Sequence, residues 1–103
     1  MDKTDAIKVA QLYALAINKN YKFIKVILFG SYMKGTQREE SDIDIAVVLN
    51  DYNNLMDTQL DLMKLRRKID SRIEPHPFRE KDFNMSNPLV SEILKYGQEI
   101  KIN

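Results

Sequence analysis

Two apolar runs, and what stands between them, constrain this chain most. FIKVILF, from Phe23 to Phe29, is β-branched and aromatic and stops at Gly30, the pattern of a buried strand running into a turn. DIDIAVVL, residues 42–49, reads as a second strand. Alternation puts Asp42, Asp44, Ala46 and Val48 on one of its faces and Ile43, Ile45, Val47 and Leu49 on the other. Gly30 and Ser31 close the first run, ten residues follow, and Asp42 and Asp44 open the second. A strand that continues into Ala-Val-Val-Leu reads as interior. Two carboxylates at its start repel one another and resist burial unless a cation compensates them. A lone Gly-Ser is usually a turn, and a lone Asp-x-Asp is usually a solvated pair. The combination is harder to reach by accident, since four fixed positions at roughly one residue in fifteen match about once in fifty thousand starts.

Each part has a chemical use. Gly30 permits backbone angles closed to other residues and lets a ligand approach the main chain. Ser31 offers a hydroxyl and opens a short helical turn, whose free N–H groups favour a phosphate. Asp42 and Asp44, two apart on a strand, form a hard-oxygen site suited to Mg²⁺, which keeps its waters and takes other ligands from phosphates.

The remaining elements follow from periodicity and punctuation. A helix over residues 5–18 places Ile7, Ala10, Ala14 and Ile17 in a stripe that Val9, Leu12 and Leu15 widen. Asn53 or Asn54 caps a helix reaching about Lys68, with Met56, Leu60 and Met63 beside Leu62, Leu65 and Ile69. A shorter strand is expected over residues 71–76, where Pro75 and Pro77 suit an edge or a strand end. Asn87 and Pro88 read as the N-cap and first residue of a last helix, and Gly97 as its stop, before a small extra strand in EIKI. The expected fold is α/β: one small domain over residues 1–103, with a mixed sheet of three to four strands flanked by helices.

Charge and composition exclude several classes. Sixteen basic against fifteen acidic residues give a net charge of +1, without the basic excess that wrapping a nucleic-acid backbone requires. With no cysteine, disulfide scaffolds and thiolate chemistry are excluded. The apolar runs are too short to span a bilayer and the N-terminus lacks a signal pattern, so the expected location is the cytoplasm.

GSYMKGTQREESDIDIAVV, residues 30–48, resembles the signature of the DNA polymerase β-like nucleotidyltransferase superfamily: Gly-Ser, ten residues, then Asp-x-Asp. RIEPHPF and SNPLVSEILKYG extend the likeness over nearly the whole chain, and the small size and element order resemble the minimal bacterial and archaeal branch. The resemblance implies a palm-like domain in which Gly30 and Ser31 hold the β- and γ-phosphates of a nucleotide and Asp42 and Asp44 bind divalent metals, two Mg²⁺ ions. The family usually has a third carboxylate on a neighbouring strand, and its best match is Glu74, as metal ligand and as base toward the acceptor hydroxyl. The competing reading of Glu74 is an exposed strand-end glutamate paired with Arg72. Asp70 is the weaker candidate because it ends the preceding helix.

Lys34 and Arg38, in the loop between the motif halves, are candidates to steady the triphosphate, against the plainer reading of solvated surface cations. Ser41 is expected to orient the start of the strand. His76, the only histidine, sits between two prolines and reads first as a shape constraint. Tyr13, Tyr21 and Phe29 read as core.

In the resembled branch the acceptor is supplied by a partner. Minimal nucleotidyltransferases of this kind are paired with a small helical HEPN-domain protein, adenylylating a toxin tyrosine from ATP and so acting as its antitoxin. That role, in a hetero-oligomer, is the leading expectation. The alternative is a binding module that neutralises its partner by masking it, without transfer. Small-molecule transfer is a third, set back because relatives with that activity carry extra acceptor-binding domains.

Overall fold

In the computed structural model, which describes residues 1–102, four strands form one sheet in the order β3 (Ile73–Arg79), β2 (Ile43–Leu49), β1 (Phe23–Phe29), β4 (Gln98–Glu99). Helix α1 (Lys3–Asn18) starts at Asp2, whose carboxylate accepts from the Asp5 N–H, an N-cap that satisfies one of the free donors of the first turn. Strand β1 (Phe23–Phe29) runs into the single turn α2 (Ser31–Lys34). Strand β2 (Ile43–Leu49) pairs antiparallel with β1, Phe29 lying opposite Asp44. Helix α3 (Leu55–Leu65) is capped by Asn54 and passes into a 3₁₀ turn over Arg66–Lys68. Strand β3 (Ile73–Arg79) lies parallel to β2, with Asp44 in register with Glu74 and Ala46 with His76. Helix α4 (Pro88–Tyr96), capped by Asn87, leads into the two-residue strand β4 (Gln98–Glu99) beside β1.

Alternation along the strands divides the interior in two. Ile43, Ile45, Val47 and Leu49 of β2 and Val26 and Leu28 of β1 face α1 and α3, packing against Ala10, Tyr13, Ala14, Ile17 and Leu62. The opposite face is smaller: Ile27, Phe29, Ala46 and Ile93 of α4, with Phe78 and Phe83 against them. Tyr13 is fully buried and its hydroxyl donates to the Leu62 carbonyl at 2.5 Å, so that burial raises its pKa. Tyr21 is half-buried, and its hydroxyl donates to Asp61; burial, then that carboxylate, push its pKa up to about 12.

Several boundaries differ from those read from sequence. Strand β2 begins at Ile43, leaving Asp42 exposed just before it. Strand β3 is longer than expected, because Val48 and Leu49 continue to pair with Phe78 and Arg79 beyond the prolines. Leu12, Leu15, Met56 and Leu60 are exposed rather than part of the buried stripes, whereas Tyr13 is fully buried, as expected. The last strand is displaced to Gln98–Glu99, because Gly97 lies against the sheet: a β-carbon there would overlap Ile27 and sit 3.2 Å from the Leu28 carbonyl oxygen.

The prolines explain why β3 is an edge. N–H and C=O groups of alternate residues point to the same side of a strand, and Pro75 and Pro77 share the side facing away from β2. Their missing donors therefore cost no ladder bond. The outward carbonyls of Ile73 and Pro75 accept instead from the side chains of Arg66 and Gln59, each at 2.8 Å.

Candidate active site

The end of β1, the start of β2 and the middle of β3 meet on the sheet face opposite α1 and α3. Gly30 has φ 79° and ψ −151°, a region essentially confined to glycine. A β-carbon there would overlap the Asp44 carboxylate, 3.1 Å from its Cγ. The main chain at Gly30 and the Asp44 carboxylate are therefore in contact because residue 30 carries no side chain. The first turn of α2 receives no side-chain cap; within it the N–H groups of Met33 and Lys34 donate to the Gly30 carbonyl.

Asp44 is held from the other side by His76. The imidazole Nε2 lies 3.1 Å from Asp44 Oδ1, and the ring packs edge-on against Phe29 with centroids 5.1 Å apart. Glu74, in register with Asp44, has Arg66 as its nearest cation, Nη1 to Oε2 4.0 Å. Arg72 is not its partner: both Nε and Nη2 of Arg72 donate to Asp70, which also accepts the Arg72 N–H. These bonds from Arg72 hold the Asp70 carboxyl below the usual carboxylate range. Asp70 thus closes a turn and stands outside the site.

The remaining sequence candidates lie further out. Lys34 forms an ion pair with Glu92 of α4 and sits over the Tyr96 ring at 5.4 Å. Arg38 is exposed; its backbone N–H donates to Ser41 Oγ at 2.7 Å, while Ser41 N–H donates back to the Arg38 carbonyl. Ser41 accordingly organises the turn that leads to Asp42.

Among the described residues no three acidic, histidine or cysteine side chains stand close enough to cage a metal ion. The three candidate carboxylates differ in their surroundings: Asp44 turns to His76, Glu74 to Arg66, and Asp42 is exposed. The donor chemistry still suits Mg²⁺. That ion is held by one or two carboxylates and completes its shell with water and substrate phosphates, and the Asp44 carboxylate lies directly against the Gly30 main chain.

The polymerase β nucleotidyltransferase model matches residues 14–102, taking in the Gly30–Asp44 contact and all three long strands. The chain belongs to this family. A candidate protein adenylyltransferase of Methanocaldococcus jannaschii is 36% identical over 91 residues, covering 84% of this chain and 87% of its own. A chain of the toxin–antitoxin pair MntA–HpeT, solved in a mutant form, superposes with a TM-score of 0.63 at 27% identity, over 100% of this chain and 74% of that one. The same fold appears, with a TM-score of 0.66 at 22% identity, in a complex of the tri-AMPylated Shewanella oneidensis HEPN toxin with its MNT antitoxin, covering 95% of this chain and 73% of that one. The fold is thus that of a polymerase β-like nucleotidyltransferase, and the chain is a nucleotidyltransferase.

Sequence reasoning missed the partners of Glu74 and His76, which are Arg66 and Asp44. One signal was available: both precede a proline, which confines their backbone to extended angles.

Proposed function

We propose that this nucleotidyltransferase transfers AMP from Mg-bound ATP to a hydroxyl of a partner protein, a tyrosine of a HEPN-domain toxin, and serves as its antitoxin. The observation that carries the reading is the contact of Gly30 with Asp44, which puts an open stretch of main chain and a carboxylate side by side at the start of α2. The M. jannaschii relative supports protein adenylylation, and the MntA–HpeT likeness supports a toxin partner.

In this reading the backbone at Gly30 and Ser31 receives the β- and γ-phosphates, and Asp42 and Asp44 present oxygen ligands beside them. Bound Mg²⁺ would supply charge neutralisation along the triphosphate and acidify the attacking hydroxyl. Glu74 accepts the proton of the acceptor hydroxyl as its oxygen bonds to the α-phosphorus, and the bond from that phosphorus to the bridging oxygen breaks to release pyrophosphate. Lys34 and Arg38 steady the triphosphate, Lys34 exchanging Glu92 for a phosphate oxygen. Because the chemistry is mostly positioning and electrostatics, fixing the nucleotide and the hydroxyl is the main task of the protein.

The test is incubation of the protein with Mg²⁺ and each of the four α-labelled nucleoside triphosphates, with and without a co-purified partner, against the Asp42→Asn/Asp44→Asn variant. Metal-dependent label from ATP on a partner tyrosine, absent in the variant, is the expected result. Partner neutralisation that survives in the variant without any label would replace transfer by masking.

A further inference from the structure

We infer that His76 is a positioning residue for Asp44, fixing the carboxylate in the orientation in which its other oxygen meets the metal–nucleotide; the inference rests on the nucleotidyl-transfer reading. Three observations converge. Nε2 of His76 lies 3.1 Å from Asp44 Oδ1, leaving Oδ2 as the oxygen that lies against the main chain at Gly30. An ionised carboxylate only accepts hydrogen bonds, so in this contact Nε2 is the donor. The ring is then locked mechanically. Phe29 packs against it at 61° between ring planes, and the backbone on either side belongs to Pro75 and Pro77, which fix φ at their own positions and restrict the residue before each.

The arrangement is what a ligating carboxylate needs. A free aspartate samples several χ settings, and selecting one on binding costs entropy; a hydrogen bond from a rigid neighbour makes that selection beforehand. Groups that orient metal ligands in this way typically contribute 10- to 100-fold in metal affinity. Position 76 is well placed for it, because register with Ala46 puts the imidazole one step along the sheet from Asp44, over a residue too small to block its reach. Neither Glu74 nor Arg66 takes this role: Glu74 would repel Asp44, and the Arg66 guanidinium already bonds the Ile73 carbonyl.

A matched pair of variants separates the hydrogen bond from the bulk. Gln and Met have similar length and volume, and only Gln donates. Mn²⁺ binding in the presence of a non-hydrolysable ATP analogue is followed by the loss of the free-ion EPR signal. Alongside it, the imidazole ¹⁵N shifts report the tautomer, and the single histidine makes them unambiguous. We expect His76→Met to weaken Mn²⁺ binding about tenfold or more and His76→Gln to stay within about threefold of wild type, both melting near wild type. We also expect the Nε2–H tautomer in wild type to give way to a mixture in Asp44→Ala. Equal Mn²⁺ binding by all three proteins overturns the inference. So does equal loss in both variants, which would make the ring's shape rather than its bond responsible. Wild type that binds no Mn²⁺–nucleotide, or binds it independently of Asp42 and Asp44, overturns the transfer reading and this inference with it, whereas wild-type binding with an unaffected His76→Met overturns this inference alone.

Discussion

The two faces of β2 carry the same backbone into opposite environments. Toward α1 and α3 it presents Ile43, Ile45, Val47 and Leu49, none more than 2% exposed. Toward α4 it presents Asp44 and Ala46, over a cluster of only four buried residues. The large face supplies most of the apolar burial that holds the sheet flat against its helices. The small face carries polar groups at one end, where Asp44 lies against Gly30 and bonds His76. Such a division lets a domain this small keep a carboxylate half-buried, since the strand that carries it is anchored from behind.

If the faces divide their labour in this way, the largest effect of any change on the site face falls on chemistry. Asp42→Asn with Asp44→Asn should lower labelled transfer by roughly 1,000-fold, the loss of several kcal/mol of charge stabilisation. Asp42 is exposed, so Asp42→Asn alone should shift stability by less than about 0.5 kcal/mol; kinetics together with a urea melt check both. The core face should show the reverse. Ile45 is fully buried, so Ile45→Ala should cost about 3 kcal/mol of stability and leave transfer per folded molecule within about threefold. Equal loss of transfer in Ile45→Ala would mean that the faces are coupled through the strand.

Gly30→Ala is the one substitution that should strike both at once. The backbone angles and the overlap with Asp44 together should cost about 2–3 kcal/mol, and displacing the carboxylate should abolish Mn²⁺–nucleotide binding. Retained binding in a destabilised protein would separate the glycine's structural use from the site.

What could be read from the residues follows the same division. The strands around the motif, the caps at Asn54 and Asn87 and the assignment of Asp44 and Ile45 to opposite faces all rest on local rules of period and capping. The ends of elements were less legible. That β3 reaches Arg79 depends on Val48 and Leu49 of another strand, and Pro75 and Pro77 suggested an earlier stop. The pairings in and around the site were not legible at all: Asp44 with His76, and further out Lys34 with Glu92, join residues 32 and 58 positions apart. Alternation gives the face of a side chain but not which neighbour on that face it chooses. Leu12 and Leu15 fit the helical period and are still exposed, since the stripe is wider than the surface α1 covers.

The smallest expected effect lies at the turn between the two regions, where Asp70 and Arg72 join the 3₁₀ segment to β3. Hydrogen bonds from the Arg72 side chain, and then from its backbone, lower the Asp70 pKa in the folded state, whereas the unfolded chain keeps the ordinary value near ~3.9. At low pH the unfolded state therefore binds more protons, and stability falls as pH falls. The contribution is complete above about pH 5 and is lost as the pH drops through the unfolded and then the folded pKa. Asp70→Asn should accordingly be less stable than wild type by under about 1 kcal/mol at pH 7, a few degrees in Tm for a domain of this size. The difference should close toward about pH 2, where Asp70 is itself neutral. A difference that persists at pH 2 would assign the effect to the geometry of the turn rather than to the carboxylate's charge. The same variant should leave labelled transfer unchanged, because Asp70 is engaged by Arg72 and stands apart from Asp44.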